Sequence, residues 1–440
     1  MFVYIARETA SIRLSTVDRA ARDYNTHSNC KANEMEGILT KTEKLLHSYL
    51  QDRGHTPVIK LLDKNLCQMG DLLVQSKADS TLTLDEQALL TASREWPLPF
   101  GAISIANNVA HIWFDRVSAF RATLAEKEWQ ADARAPTAGT IYIEAPTGKE
   151  WATMTLTEFR ADMLRTVVKN CFQHAGYTVV QAGEEQLADY PTANATRVKI
   201  VQQKSKAVPE QCIELLCGSV LTGSEIQNAA QYIGLRANDM QLIAQHRYGL
   251  RLPDVCKLQR LVSSLGRSAA MVDMLHTRHT HVIDMRSQQG ILRNQCSSKG
   301  ASFIMYNYAR LASILRKHTE LVEQGAGTAI PPVADIDFSL LTDPDEWLLL
   351  YAYLMRFPHT IQQTIGYGQP DGRIAPYHLL NFTLCLIKCL SKYYRRVRIL
   401  TENRPRLQPV MLARLYLIRS LFDMLRVILN ILDLEPVEEM

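Results

Sequence analysis

Through the last third of the chain, apolar residues recur every three or four positions, and that period predicts helices. Leu379, Phe382, Thr383, Leu386, Leu390, Tyr393 and Val397 form one stripe of a single helix. Lys388, Lys392, Arg395 and Arg396 fall on a second stripe at i, i+4, i+7 and i+8, so this helix can bury one side and hold a row of cations on another. An earlier helix begins near Phe303, with Ile304, Tyr308, Leu311 and Leu315 as its apolar row and Tyr306, Arg310, Ser313 and Lys317 as its polar row. Pro405 and Pro409 break the chain before a final helix over 411–434. That helix is apolar nearly all round except for Arg419, Asp423, Arg426 and Asn430, the pattern of a helix at the centre of its bundle.

Charge sharpens this picture. The 440 residues carry a formal charge of only +4, yet nine Lys or Arg stand between Leu379 and Ser420 with Glu402 the one acid among them. A local excess of one sign points to a polyanionic partner, because solvated helix faces usually mix signs. Tyr306 and Arg310, four apart, can offer a ring and a guanidinium side by side to an unstacked base, or can simply pack at the bundle edge. The candidate RNA contacts are Tyr306, Asn307, Arg310, Lys317, Tyr377, Lys388, Lys392, Tyr393, Arg395, Arg396 and Arg398.

Residues 1–95 read as mixed, mainly helical structure, with a helix over 34–53 that Gly54 can cap and a polar connection over 70–90. Trp96-Pro97-Leu98-Pro99 reads as a boundary, and residues 103–124 as a strand-like start followed by a helix. Residues 131–139 (ADARAPTAG) are the clearest linker. After it come a short β-type run over 140–144, a loop, a helix marked by Leu156, Phe159, Met163, Val167, Val168 and Cys171 and ended by Gly176, and a second strand over 177–180. Strand, helix, strand in that order is a βαβ unit of a parallel, nucleotide-type sheet.

The stretch KGASFIMYNYARLASIL (299–315), the run PPVADIDFSLLTDPDEWLLLY (331–351), Tyr377-His378-Leu379, Tyr393-Tyr394 and the terminal ILDLEPVEEM are similar to the DALR anticodon-binding domain of class I arginyl-tRNA synthetases. They resemble still more the DALR anticodon-binding domain-containing proteins of animals. The resemblance implies three parts: an N-terminal region (1–95), a degenerate synthetase-like α/β domain of Rossmann type (96–295) and a helical-bundle anticodon-binding domain (296–440). In the synthetases a His-x-Gly-His motif at the start of the βαβ helix meets the ATP phosphates. Here the matching stretch is Thr155-Leu156-Thr157-Glu158-Phe159-Arg160, without either histidine or the glycine. Glu158 puts an anion where triphosphate would sit, and Thr157 puts a branched side chain where backbone must come close. His111-Ile112-Trp113-Phe114 also lacks the motif, and no Lys-Met-Ser-Lys-Ser segment precedes Lys299. The central domain therefore reads as a relic that keeps its shape without its chemistry.

Other features change little. The sequence HTRHTHVID (276–284) groups His276, His279, His281 and Asp284, but its spacing fits no metal pattern and it reads as a solvated or RNA-facing loop, with Arg278, Arg286 and Arg293 extending the basic surface. Arg247, Arg251, Lys257, Arg260 and Arg267 form a second basic run, a tRNA-body contact or a plain surface helix. Nine cysteines without a CxxC pair fit free thiols in a reducing compartment, with Cys385 and Cys389 as core packing. Walker, GxGxxG and GxSxG motifs, a membrane-length apolar run and a signal peptide are missing.

The reading that follows is a cytoplasmic, non-catalytic tRNA-binding protein with no cofactor, no metal, no membrane and no DNA partner. By resemblance, its partners are arginine tRNA and a tRNA 3-methylcytidine methyltransferase, for which it would be the recognition subunit. A divergent arginine–tRNA ligase and a protein-only adaptor are the alternatives.

Overall fold

In this computed structural model the described residues are 37–76, 82–130, 139–183, 195–205, 212–248, 255–288, 291–292, 299–366, 373–401 and 404–438. The first of these stretches mixes helices with short strands. Helix α1 (Ile38–Gln51) is followed by β1 (Pro57–Leu61), the single turn α2 (Leu66–Met69) and β2 (Leu72–Ser76). Then come α3 (Glu86–Ser93), β3 (Phe100–Ala106), β4 (Val109–Phe114) and α4 (Arg116–Glu126). The strands pair antiparallel in the order β1-β2-β4-β3. Along β4 burial alternates, with Ala110, Ile112 and Phe114 on the core side, as a sheet with one covered face requires.

As expected, the described part of 1–95 is mixed and mainly helical, since α1, α2 and α3 take more of it than β1 and β2 do. Two other expectations are corrected. The stretch 70–90 is not merely a polar connection, because Leu72 and Val74 of β2 are core residues. The Trp96–Pro99 turn lies inside this layer rather than at its edge, since β3 and β4 beyond it complete the sheet that β1 and β2 begin. The linker expected at 131–139 falls, except for Gly139, outside the described residues.

The expected βαβ unit is present. Strand β5 (Thr140–Glu144), helix α5 (Leu156–His174) and strand β6 (Thr178–Ala182) are followed by β7 (Ala195–Val201) and β8 (Cys212–Leu216). All pair in parallel, in the order β6-β5-β7-β8. The short β9 (Val220–Leu221) precedes the helix pair α6 (Ala229–Tyr248) and α7 (Val255–His276). These two helices touch backbone to side chain at Gly266, where an added Cβ would stand 2.6 Å from the Ala237 Cβ. The buried Arg236 and Asp273, 2.8 Å apart, pin the same pair. Three two-residue strands follow: β10 (Ile283–Asp284), parallel to β9, then β11 (Ser287–Gln288) paired with β12 (Ile291–Leu292).

The helical part matches its sequence pattern closely. It comprises α8 (Lys299–Glu323), the five-residue α9 (Pro344–Leu348) running into a π-helical turn (Leu349–Leu354), α10 (Phe357–Thr364), α11 (Tyr377–Arg396) and α12 (Gln408–Ile431). Pro409 sits in the first turn of α12, where its missing N–H costs nothing, so only Pro405 lies before the helix. The apolar stripe of α11 is buried as expected, and beyond Pro409 the exposed residues of α12 are Arg419, Arg426 and Asn430 of its thin polar strip. Among the described residues no helix is long and apolar enough to cross a membrane. Of the cysteine pair on α11, Cys389 is buried and Cys385 exposed.

One carboxylate ties the N-terminal sheet to the helical part. Asp71, 1% exposed, accepts from Phe114 N at 2.9 Å and from Trp347 Nε1 at 2.8 Å. Its carbonyl accepts from the Tyr351 hydroxyl at 2.6 Å. Burial pushes the Asp71 carboxyl up to about 6, against the opposing pull of those donors. Asp71→Ala is expected to lower stability by on the order of 3 kcal/mol, since two buried donors lose their acceptor. A raised carboxyl means that the folded chain binds the proton more tightly than the unfolded chain does. This group's contribution therefore declines as pH rises from about 4 to about 6. Urea titrations across that window should show the decline in the native chain and a flatter profile in Asp71→Asn.

Candidate nucleic-acid interface

Helix N-termini favour anions, and at α5 the chain supplies its own. Glu158 accepts from Thr155 N at 2.8 Å and from Lys149 Nζ at 2.5 Å, while Thr155 Oγ1 accepts from Glu158 N at 3.2 Å. The Lys149 hydrogen bond, then the Thr155 N–H, hold the Glu158 carboxyl down at about 2. Behind it Asp162 accepts from Thr147 N at 3.0 Å and from Arg165 at 2.7 Å, and Arg165 also bonds Glu144 at the end of β5. The loop between β5 and α5 is thus bound down on the helix.

Arg160, fully buried, donates to four carbonyls: Gly218 at 2.8 Å, His281 at 2.7 Å, Thr277 at 3.1 Å and Arg278 at 3.0 Å. Thr157 Oγ1 accepts from Val220 N at 2.9 Å. Gly218 is required beside this clamp, because a Cβ there would stand 2.3 Å from the His281 carbonyl oxygen. Most of the polar side chains of residues 155–160 are therefore committed to internal bonds. The histidine-rich loop is not simply solvated: Arg160 anchors its backbone and His279 is buried.

The basic stripe on α11 is corrected in an important respect. It is not a run of bare cations. Lys392 lies 3.2 Å from Asp345, and Arg396 lies 2.6 Å from Asp343 and 2.7 Å from Asp345. Arg414 of α12 lies 2.8 Å from Glu346. These three acids belong to the start of α9, where Asp343 is the N-cap, Pro344 opens the helix and Glu346 closes a capping box. Counting charge along α11 could not reveal them, since they enter from about fifty residues upstream. Lys388 and Arg395 are exposed and make no ion pair among the described residues.

Other candidates divide in the same way. Tyr393 is fully buried, its hydroxyl donating to Glu346 at 2.9 Å, so its ring is closed to a base. Asn307 is buried and donates to Phe303 O at 2.7 Å. Tyr306 and Arg310 do meet, the guanidinium donating to the Tyr306 hydroxyl at 2.6 Å. Arg310 also lies 3.8 Å from the ring centre of Tyr394 and bonds its hydroxyl. Tyr394 is thus the residue to set in place of Tyr393. Its signal was present, because Tyr393 is in phase with Leu386 and Leu390 on the apolar stripe and its neighbour is not.

Lys317 is exposed on α8, and Arg398 donates to Leu400 O at 3.1 Å. Tyr377 accepts from Arg278 at 3.0 Å, joining the histidine-rich loop to the start of α11. Of the second basic run, Arg260 is exposed and Arg267 is bound to Asp433. Arg286 is paired with Asp284. Arg251 and Arg293 lie outside the described residues.

Comparison with known proteins places this architecture. The family model of the DALR anticodon binding domain matches residues 304–440. The fold is that of arginyl-tRNA synthetases. It matches the Thermus thermophilus enzyme with a TM-score of 0.61 at 12% identity, over 90% of this chain and 99% of that one. It matches the Plasmodium falciparum enzyme with a TM-score of 0.61 at 10% identity, over 92% and 98%.

In sequence, the chain is 28% identical over 271 residues to DALR anticodon-binding domain-containing protein 3 of Danio rerio, covering 58% of this chain and 48% of that protein. It is 31% identical over 250 residues to the protein of the same name from Rattus norvegicus, covering 53% and 44%. An arginine–tRNA ligase of Pediococcus pentosaceus is 24% identical over 203 residues, covering 46% and 31%. The chain spans about half the length of the animal proteins it matches. Its C-terminal third matches the DALR anticodon binding domain, and the chain is similar over about half its length to the DALR anticodon-binding domain-containing proteins.

Glu346 is fully buried beneath this surface. Glu346→Ala leaves the Tyr393 hydroxyl and the Arg414 guanidinium without their acceptor. The expected loss is about 3–5 kcal/mol, read as a lower urea midpoint.

Proposed function

We propose that this chain is a tRNA-binding protein that recognises arginine tRNAs through its C-terminal domain and does not aminoacylate them. What carries the RNA reading is the Tyr306–Arg310–Tyr394 cluster, which bridges α8 and α11 on the helix that also bears the unpaired Lys388 and Arg395. A ring beside a guanidinium offers stacking to splayed bases, and flanking cations offer phosphate contacts. The non-catalytic reading is supported by the N-terminus of α5, where Glu158, Lys149 and Thr155 hold each other in the place that a triphosphate would take. Service as the recognition subunit of a tRNA 3-methylcytidine methyltransferase, in the cytoplasm, extends the resemblance to the animal proteins. The partner would then supply the methyl donor.

Purified protein should bind arginine tRNA with an affinity that falls steeply with salt. Lys388→Glu with Arg395→Glu should weaken binding at least tenfold and reduce the slope of log affinity against log salt by about 2. Unchanged binding would remove α11 from the interface. The competing reading, a divergent arginine–tRNA ligase, draws on the synthetase fold, and arginine- and tRNA-dependent ATP–pyrophosphate exchange decides between them. No exchange above background is expected.

A further inference from the structure

Away from the basic helix, a cleft of about 330 Å³ opens where β8, the 278–280 loop and the 373–375 approach to α11 meet. Three of its wall residues are cations, Lys204, Arg278 and Arg373, contributed by three separate parts of the chain. Among the described lining residues the one acid is Glu214, held by Ser205, which donates from its backbone N at 2.9 Å and its hydroxyl at 2.5 Å. His279 also lines the cleft, is 9% exposed, and its Nδ1 finds no hydrogen-bond partner among the described residues. A buried polar atom left unpaired costs about 1–3 kcal/mol, and a ligand is one way of relieving that cost.

The loop that presents this histidine is fixed. Gly218 N donates to the His279 carbonyl at 2.7 Å, and Arg160 grips the carbonyls of residues 277, 278 and 281. Arg278 is steadied by Tyr377, its guanidinium 5.3 Å from the ring centre. Burial, then the nearby Arg160, Arg278 and His281, push the His279 ring down to about 4, so it is neutral at physiological pH and can both donate and accept. The volume lies at the low end of the ~300–1,000 Å³ range of small-ligand clefts, which suits a single nucleotide.

We propose that this cleft is a nucleotide site, in which Lys204, Arg278 and Arg373 hold a phosphate and the His279 ring hydrogen-bonds the attached nucleoside. The nucleotide comes either from solution or from one position of a bound RNA. The second source rests on the tRNA reading above and the first does not.

The test uses the full chain labelled with ¹³C-histidine, titrated with AMP, with inorganic phosphate and with an arginine tRNA transcript. The His279 resonance is assigned from its loss in His279→Asn. AMP is expected to shift that resonance saturably and to move its titration midpoint up from about 4, with phosphate at least tenfold weaker. Lys204→Glu with Arg373→Glu should weaken AMP at least tenfold, with the fold of the variant checked by circular dichroism. Lys388→Glu with Arg395→Glu should bind AMP like the native chain. If tRNA but not AMP moves the resonance, and the cleft variant abolishes that shift while tRNA still binds, the nucleotide is one of the RNA. If neither AMP nor tRNA moves it, or phosphate acts as strongly as AMP, the nucleotide site is wrong. AMP binding without tRNA binding would sink only the tRNA reading.

Discussion

Two buried carboxylates, Asp345 and Glu346, set the terms for much of this structure. A buried charge left alone costs several kcal/mol, so its partners have little freedom. Here the partners are Lys392, Tyr393 and Arg396 on α11 and Arg414 on α12. The same short segment carries Trp347 and Tyr351, whose polar atoms reach back to Asp71 beneath the N-terminal sheet. Their rings stack at 5.7 Å, and Phe120 of α4 packs edge-on against Trp347 at 6.0 Å. These ten residues fix the relative placement of two long helices and a β-layer. Few of those contacts could shift without exposing a charge or orphaning a donor.

That arrangement changes what the positive charge can do. Over a screening length of about 8 Å an ion pair presents a dipole rather than a charge, so Lys392 and Arg396 add less to attraction at a distance than their number implies. On the tRNA-binding reading, long-range steering falls instead to Lys388, Arg395, Arg310 and the exposed Lys317. The paired cations still have a role, because each side chain is half or more exposed, at 69% for Lys392 and 50% for Arg396. A phosphate arriving at contact distance could share their N–H donors. Removing them would disturb both the fold and the surface, which is why the unpaired residues are the informative ones for RNA binding.

The helical half was legible because its helices are long and their faces well separated. The stripe through Leu379, Leu386 and Leu390 is buried where its period places it. The βαβ unit was legible for a similar reason: TIYIE, the capped helix after Thr155 and Gly176 leave little choice. The N-terminal sheet was harder to see. Its strands are five to seven residues long, and PVIKL or LLVQS alone does not exclude a helix. The pairing of the basic stripe was invisible for another reason. Charge complementarity between α9 and α11 depends on tertiary proximity, and the sequence carries it only as an unremarked DPDE. Tyr393 and Tyr394 show how fine the margin is, since one step of helical phase separates a buried phenol from a surface one.

The α/β half poses a different question: why a nucleotide-type layer should persist in a chain that, on the tRNA-binding reading, has no use for ATP. Its contacts suggest an answer. Asn170 of α5 donates to the carbonyls of Asn430 and Ile431, both at 3.2 Å, and so caps the C-terminal end of α12. Arg267 of α7 bonds the Asp433 carbonyl at 3.0 Å beside it. His174 at the end of α5 packs against Phe357 at 5.3 Å. The end of a helix leaves carbonyls that must find donors, and here the donors come from the α/β layer. Once α5 serves the helical domain in this way, its packing on the sheet is constrained even where its N-terminus has no ligand to hold. On the non-catalytic reading, Glu158 stands where a phosphate would at that end, and the support that α5 gives α12 does not depend on it.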